Sequence, residues 1–238
     1  MSDVKVNITP TVVTLREVVF SWPQTSSPVL HIPELTIGQG EHVFIKGPSG
    51  CGKSTLLGLL TGIHQAQHGV VEILGTDISQ LTASQRDTYR ADHIGYIFQQ
   101  FNLLPYLNVV ENVILPCHFS KQRKQRLTMS ADETARQLLR RLHLPDGQFN
   151  KAVVALSIGQ QQRVAAARAL IGAPALIIAD EPTSALDHEN RHAFIQLLME
   201  QANAAQSTLI FVSHDPTLEP LFDRVIDLQR LNHVERVS

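Results

Sequence analysis

Short apolar runs of strand length recur along the chain, and several are followed by stretches with helical spacing. Val12 to Phe20 alternates weakly and reads as a strand, with Leu30 to Ile37 and Glu41 to Lys46 as two more. Gly69 to Gly75 is a strand bounded by glycines, and Ile94 to Phe98 is another. Ala175 to Ala179 and Thr208 to Val212 are continuously apolar, as expected of strands buried on both faces of a parallel sheet. Val225 to Leu228 is placed as the strand that closes it.

Between them, Thr82 with Gln85 has capping-box spacing and opens a helix through about Ala91. Val109 to Leu115 is read as helix. Ser130 with Glu133 opens another, on which Ala135, Leu138, Leu139 and Leu142 share one face. Gln160 to Leu170 is an alanine-rich helix punctuated by Pro174. His188 to Ala204 places Phe194, Leu197, Leu198 and Met199 at helical spacing. Strands alternating with helices predict a parallel α/β fold, whose sites belong at the carboxyl ends of the strands.

One loop carries a complete motif. Gly47-Pro48-Ser49-Gly50-Cys51-Gly52-Lys53-Ser54-Thr55 reads G-x-x-x-x-G-K-[ST] between a strand and a helix, the context that makes it a phosphate site. Glycines let successive backbone N–H groups curl around an anion, and the following helix adds the positive end of its dipole. Lys53 can reach the outer phosphates, and the Ser54 hydroxyl can ligate Mg²⁺.

Composition narrows the class. The 238 residues, 43% hydrophobic and 18% charged, suit a globular protein of one α/β domain or two small ones. A net charge of −2 gives no reason to expect nucleic acid as a partner. No apolar run approaches the ~20 residues that span a bilayer, and the start, Met1 to Val6, shows no signal-peptide pattern. Cys51 and Cys117 have neither disulfide nor metal spacing. The expected compartment is the cytosol, with any membrane role exerted through a partner. The basic run Lys121 to Arg126 is expected to be a solvated connection.

Four polar groups follow apolar strands and converge on one sheet edge: the glycine loop, Gln99, Asp180-Glu181 and His214. Asp180 suits a Mg²⁺ ligand, and Glu181, one residue on, can act as base toward an attacking water. Gln99 can bind the ion or the water through its amide oxygen. His214 can donate to phosphate oxygens, where transition-state charge builds up. Each is weak alone, since a histidine after a strand is usually structural and an Asp-Glu pair usually a solvated turn. Their shared order and placement carry the argument. Trp22, the single tryptophan, reads on position alone as a packed aromatic.

Leu156-Ser157-Ile158-Gly159-Gln160, followed by Gln161 to Leu170, resembles the signature segment of the ATP-binding subunits of ABC transporters. Asp180-Glu181-Pro182-Thr183-Ser184-Ala185-Leu186-Asp187 resembles that family's second nucleotide strand and the loop after it. The resemblance covers nearly the whole chain. It implies a P-loop, RecA-like parallel-sheet core with a small antiparallel β subdomain (residues 1–98 and 157–238) and an inserted helical subdomain (residues 99–156), all in one nucleotide-binding domain. It makes Trp22 the aromatic that stacks on adenine, Gln99 the glutamine of the family's Q-loop, and His214 its switch histidine. It further implies a head-to-tail homodimer binding two ATP with Mg²⁺. There Ser157, Gly159, Gln160 and Asp187 of one protomer close on the nucleotide of the other. Ile158 stands where the family has its first signature glycine, a departure that bears on closure and hydrolysis rate.

Gln99 to Pro116, with Ile178 to Thr183, is most similar to the lipoprotein-release and macrolide-export group. That implies a peripheral subunit on the cytoplasmic side of the cell membrane, serving an integral-membrane permease with a large extracytoplasmic domain. Lipoprotein, lipid, peptide or drug would be its cargo. Ser184 to Asp187 also occurs in polar amino-acid importers, which leaves an importer ATPase open. A regulatory ATPase signalling through a membrane partner to cell-wall enzymes stands beside it.

Overall fold

The computed structural model describes residues 10–234 other than 24, 26 and 185–187. In chain order its elements are β1 (Thr11–Phe20), β2 (Leu30–Gly38), β3 (His42–Lys46), α1 (Lys53–Leu60), β4 (His68–Ile73), β5 (Thr76–Asp77), α2 (Ala83–His93) and β6 (Ile94–Ile97). There follow α3 (Val109–Ile114), α4 (Pro116–Phe119), α5 (Lys121–Gln125), α6 (Ala131–Arg141), α7 (Ile158–Leu170), β7 (Leu176–Asp180), α8 (His188–Ala204), β8 (Thr208–Val212), β9 (Arg224–Asp227) and α9 (Leu228–Leu231).

The strands form two sheets, one five-stranded in the order β6-β7-β8-β3-β9 and one four-stranded in the order β2-β1-β4-β5. Pairing in the first is parallel throughout, with Ile97 opposite Ala179, Ile178 opposite Ile210 and Phe44 opposite Phe211. Its central strands divide their side chains between two cores. Phe44, Ile177, Ala179, Leu209 and Phe211 face the core shared with α3, α6, α7 and α8. Val43, Ile45, Leu176, Ile178, Ile210 and Val212 face the core shared with α1 and the second sheet. Both faces are covered, which is why these strands read as unbroken apolar runs.

The second sheet is antiparallel, pairing Leu15 with Leu35 and with Val71. The fold is therefore a mixed α/β cassette, a parallel core with an antiparallel sheet beside it, as the resemblance implied. Helix α1 lies between the two sheets and is buried from Thr55 to Leu60. A helix apolar all round belongs inside.

Among the described residues four helices open on capping boxes: Thr82 with Gln85, Asn108 with Glu111, Ser130 with Glu133, and Ser157 with Gln160. Each satisfies backbone donors that would otherwise be orphaned at a helix start. The sequence spacing identified the first and third. On α6, Ala135 and Leu139 are buried and Leu138 is half-buried, so the expected apolar face is real.

Three expectations need correction. Leu228 does not extend the last strand; β9 ends at Asp227, whose side chain accepts from Gln229 N and caps α9. The strand expected at Gly69 to Gly75 ends at Ile73, because Leu74 and Gly75 turn with positive φ into β5. The basic run is not wholly solvated. Lys121 and Lys124 are exposed, but Arg123 is 2% exposed and donates to Ala169 O (3.3 Å), Ile171 O (3.2 Å) and Ile94 O. It ties α5 to the end of α7 and the start of β6. Burial lowers its pKa to about 10, with the Cys117 side chain opposing that shift.

Candidate active site

All five strands of the parallel sheet run the same way, so the segments after β3, β6, β7 and β8 leave one edge together. The loop after β3 is shaped by its glycines. Gly50 has φ 76° and Gly52 φ 104°, a region that side chains rarely enter. A Cβ on Gly52 would lie 2.6 Å from Leu30 Cδ2, and one on Gly47 2.5 Å from Cys51 Sγ. Gly52 caps α1, so the amide end of that helix opens into the loop. The Lys53 ammonium donates to Gly47 O (2.7 Å) and Pro48 O (3.2 Å), which holds it across the loop mouth.

A cleft of about 340 Å³ collects Trp22, Val29, Ser49, Gly50, Gly52, Lys53, Ser54, Thr55, Gln99, Asp180 and Glu181. Gln99 arrives from the end of β6, and Asp180 is the last residue of β7. Trp22 stands at the rim, 41% exposed, with its ring edge-on to Phe20 (centroids 5.1 Å) and to His64 (4.9 Å). That leaves one aromatic beside the phosphate loop, apolar enough to stack a base.

Asp180 is half-buried, and Tyr96 Oη donates to its Oδ2 at 3.3 Å. Burial holds the Asp180 carboxyl above the usual carboxylate range and Glu181 pushes the same way, while Tyr96 and Lys53 oppose. Glu181 adopts φ 45°, and its N–H donates to Val212 O at 2.9 Å. This anchors the residue to β8 and turns its side chain toward His214, whose Nδ1 lies 3.3 Å from Glu181 Oε2. His214 reaches the site through Glu181, from a smaller recess also lined by Thr183, Ser184 and Arg191. Hard oxygen donors, an ammonium and backbone amides on one wall, with a carboxylate and an imidazole behind, can hold a triphosphate and activate a water.

The signature residues are elsewhere. Ser157 and Ile158 are exposed at the start of α7, with Gly159 and Gln160 half-buried, and none lines the cleft. Ser157 and Gln160 are occupied with each other, as cap and reciprocal partner. Asp187 lies outside the described residues. Sequence reasoning missed three supports. Tyr96 was read only as a strand residue. Gln162, 1% exposed, donates to Pro182 O (2.9 Å) and ties α7 to the segment after Glu181. Asn232 donates to Val29 O (2.9 Å) and Cys51 O (3.4 Å), bracing the loop from behind. For Gln162 and Asn232 no local sequence signal exists.

The parallel sheet, the glycine loop and this cleft define a P-loop nucleotide hydrolase of cassette type. Residues 30–184 match the family model described as ABC transporter. The chain belongs to that family, as its ATP-binding, ATP-hydrolysing subunit. It is 40% identical over 201 residues to the macrolide export ATP-binding/permease protein MacB of Psychrobacter arcticus, covering 84% of this chain and 29% of that protein. With the lipoprotein-releasing system ATP-binding protein LolD of Bacteroides fragilis it shares 37% identity, covering 82% and 88%. The chain thus spans under a third of the exporter's length and most of the release subunit's. Among solved structures, the dimeric post-hydrolysis state of the ATP-binding cassette MJ0796 bound to ADP and Pi superposes with TM-score 0.82 at 37% identity, covering 94% and 97%.

Proposed function

We propose that this subunit powers a membrane permease of the macrolide-export and lipoprotein-release kind. In this reading it moves or extracts a lipoprotein, lipid, peptide or drug by ATP-driven closure of a homodimer. The observation that carries the reading is the cleft, which Lys53, Ser54, Gln99, Asp180 and Glu181 line together with Trp22. Support for this subgroup comes from the similarity to LolD along 88% of that subunit.

In this reading the amides of residues 47–55 and the Lys53 ammonium bind the phosphates, and Trp22 stacks on the adenine. Ser54, Gln99 and Asp180 fit Mg²⁺, because hydroxyl, amide and carboxylate oxygens are the donors that this ion takes. Among the described residues no three His, Cys, Asp or Glu side chains are grouped to hold an ion alone. With ATP bound, phosphate oxygens would join these donors, and the ion would supply charge neutralisation there. Glu181 takes the proton of the attacking water, and His214 holds the carboxylate's line and donates toward the γ-phosphate. Ser157, Gly159, Gln160 and Asp187 of one protomer close over the nucleotide of the other. The helical stretch 99–156 acts as the inserted subdomain.

No helix among the described residues is long and apolar enough to cross a membrane. A second, more apolar groove of about 410 Å³ runs beside β6, walled by Tyr96, Phe98, Pro116 and Phe119, with Phe119 72% exposed. It begins one residue from Gln99, where a permease segment would sense the nucleotide, on the cytoplasmic side of the membrane. The test is affinity purification of the tagged chain from native membranes, with ATPase assayed on the product. Co-purification of a permease with a large extracytoplasmic domain, on which activity depends, is the expected result. A permease with many helices and no such domain, or full activity without any membrane protein, overturns the assignment.

A further inference from the structure

Immediately after the cleft's Gln99, the backbone does something costly. Phe101 and Asn102 are consecutive, neither is glycine, and both are left-handed, with φ 59° and 48°. Such a pair persists only where its surroundings hold it. Phe101 N donates to Phe98 O (2.9 Å) and Asn102 N to Gln100 O (2.6 Å), which closes the turn tightly around Gln99. The Phe101 ring is buried, so the turn cannot relax without drawing it from the core.

What remains are the two carbonyls, which the turn points the same way. Both accept from one side chain: Arg168 Nη1 donates to Asn102 O at 2.7 Å and Nη2 to Phe101 O. Arg168 is 9% exposed, and its hydrogen bonds run to these carbonyls rather than to a carboxylate. A planar guanidinium fork meets two successive carbonyls at once, which an ammonium cannot do. Burial without a compensating acid holds its pKa below the usual arginine range. A cation is therefore kept out of water to grip backbone. Arg168 belongs to α7, whose cap is Ser157, so one rigid helix carries the signature at one end and this grip about 15 Å along its axis.

We propose that Arg168 is a positioning residue for hydrolysis: its fork holds the Phe101–Asn102 turn so that Gln99 stays on the wall of the nucleotide cleft. Through α7 it locks Gln99 in register with the Ser157 end that faces the other protomer's nucleotide. The inference rests on the reading that Gln99 touches the bound nucleotide or its metal. Arg123 supplies the built-in contrast. It too is a buried arginine on carbonyls, but those carbonyls belong to Ile94 at the far end of β6 and to the end of α7.

The test is a double-mutant cycle in the full chain, with Arg168→Met and Arg168→Lys each made alone and combined with Gln99→Ala. Arg168→Lys keeps the charge while removing the fork, and serves if the Met variant does not fold. Readouts are single-turnover ATP hydrolysis, affinity for a fluorescent ATP analogue, and melting temperature. The expected result is that each single change slows hydrolysis roughly tenfold, while the double is no slower than the slower single, because both act through one group. Analogue affinity stays within about twofold, since the phosphate loop is untouched. Arg123→Lys combined with Gln99→Ala multiplies instead.

Multiplicative loss for Arg168 with Gln99 overturns the inference while leaving the role of Gln99 intact. So does an Arg168→Lys chain that loses melting temperature but hydrolyses normally. A Gln99→Ala chain that hydrolyses at the parental rate removes the premise, and with it both readings.

Discussion

Glu181 Oε2 and His214 Nδ1 lie 3.3 Å apart, at the ends of adjacent strands whose register pairs Asp180 with Val212. The Glu181 side chain is 19% exposed and that of His214 69%, so the carboxylate is inside the site and the imidazole covers it from solvent. Because Glu181 N–H is bonded to Val212 O, the backbone sets the direction of that carboxylate. Its chemistry is therefore separable from its placement. Glu181→Gln is expected to bind ATP normally and to slow hydrolysis by about 10²- to 10⁴-fold. ATP-bound dimer then accumulates, measurable by size-exclusion chromatography beside a turnover assay. Undiminished turnover in that variant takes Glu181 out of the chemistry.

Phe20 and His64 hold the Trp22 ring edge-on at the cleft rim, and the proposed role of that ring is to stack on the adenine. Trp22→Ala should weaken ATP binding by about 1–3 kcal/mol, the range for losing a base–aromatic stack. Trp22→Phe should keep most of the affinity. Equilibrium titration with ATP decides it. An unchanged constant in the alanine variant returns Trp22 to the role of a packing residue.

Arg123 predicts an uneven response along a run of like charges. Arg123→Ala leaves the carbonyls of Ile94, Ala169 and Ile171 without their donor, inside the protein. At about 1–3 kcal/mol for each buried orphan, a loss of at least about 3 kcal/mol is expected in urea unfolding. Lys121→Ala and Lys124→Ala, at exposed positions, should stay within about 0.5 kcal/mol of the parent. Equal effects at all three positions contradict the buried rivet.

Two histidines set an acid limit. Burial holds the imidazoles of His42 and His93 below their usual range; Asp223 partly opposes this at His42, and Arg126 adds to it at His93. Among the described residues His42 Nε2 and His93 Nδ1 are buried and have no hydrogen-bond partner, so a proton there finds no acceptor among them. The folded state binds fewer protons than the unfolded one in this window. The contribution to stability is present above the unfolded value of about 6.5 and is lost as pH falls through it toward the lower folded values. Melting temperature should fall from about pH 7.5 to about pH 5.5, with a shallower slope in a His42→Gln, His93→Gln chain. An identical slope in that chain places the acid sensitivity elsewhere.

Much of the site was legible because its signals are local. The glycine loop needs its residue types within nine positions, and the apolar runs before Gly47, Gln99, Asp180 and His214 mark the strand ends. The capping boxes of α2 and α6 are spacings of three and were readable for that reason. The same spacing at Ser157 and Gln160 lies inside the segment that resembles the family signature, where a capping role is hidden behind the nucleotide role that the resemblance implies. Arg123 was misread because charge alone predicts solvent, and its acceptors lie 29, 46 and 48 residues away.

By itself, then, the sequence determined the phosphate loop, the placement of the polar groups after apolar strands, and the family, all written in short windows where one residue constrains its neighbours. Only the tertiary structure decided which groups meet. It set Tyr96 against Asp180 and Glu181 against His214. It aimed Arg168 at the turn behind Gln99 and left Ser157 away from its own chain's cleft. Those contacts join residues brought together by a parallel sheet whose crossovers separate neighbouring strands by dozens of positions. No periodicity along the chain encodes a distance across it.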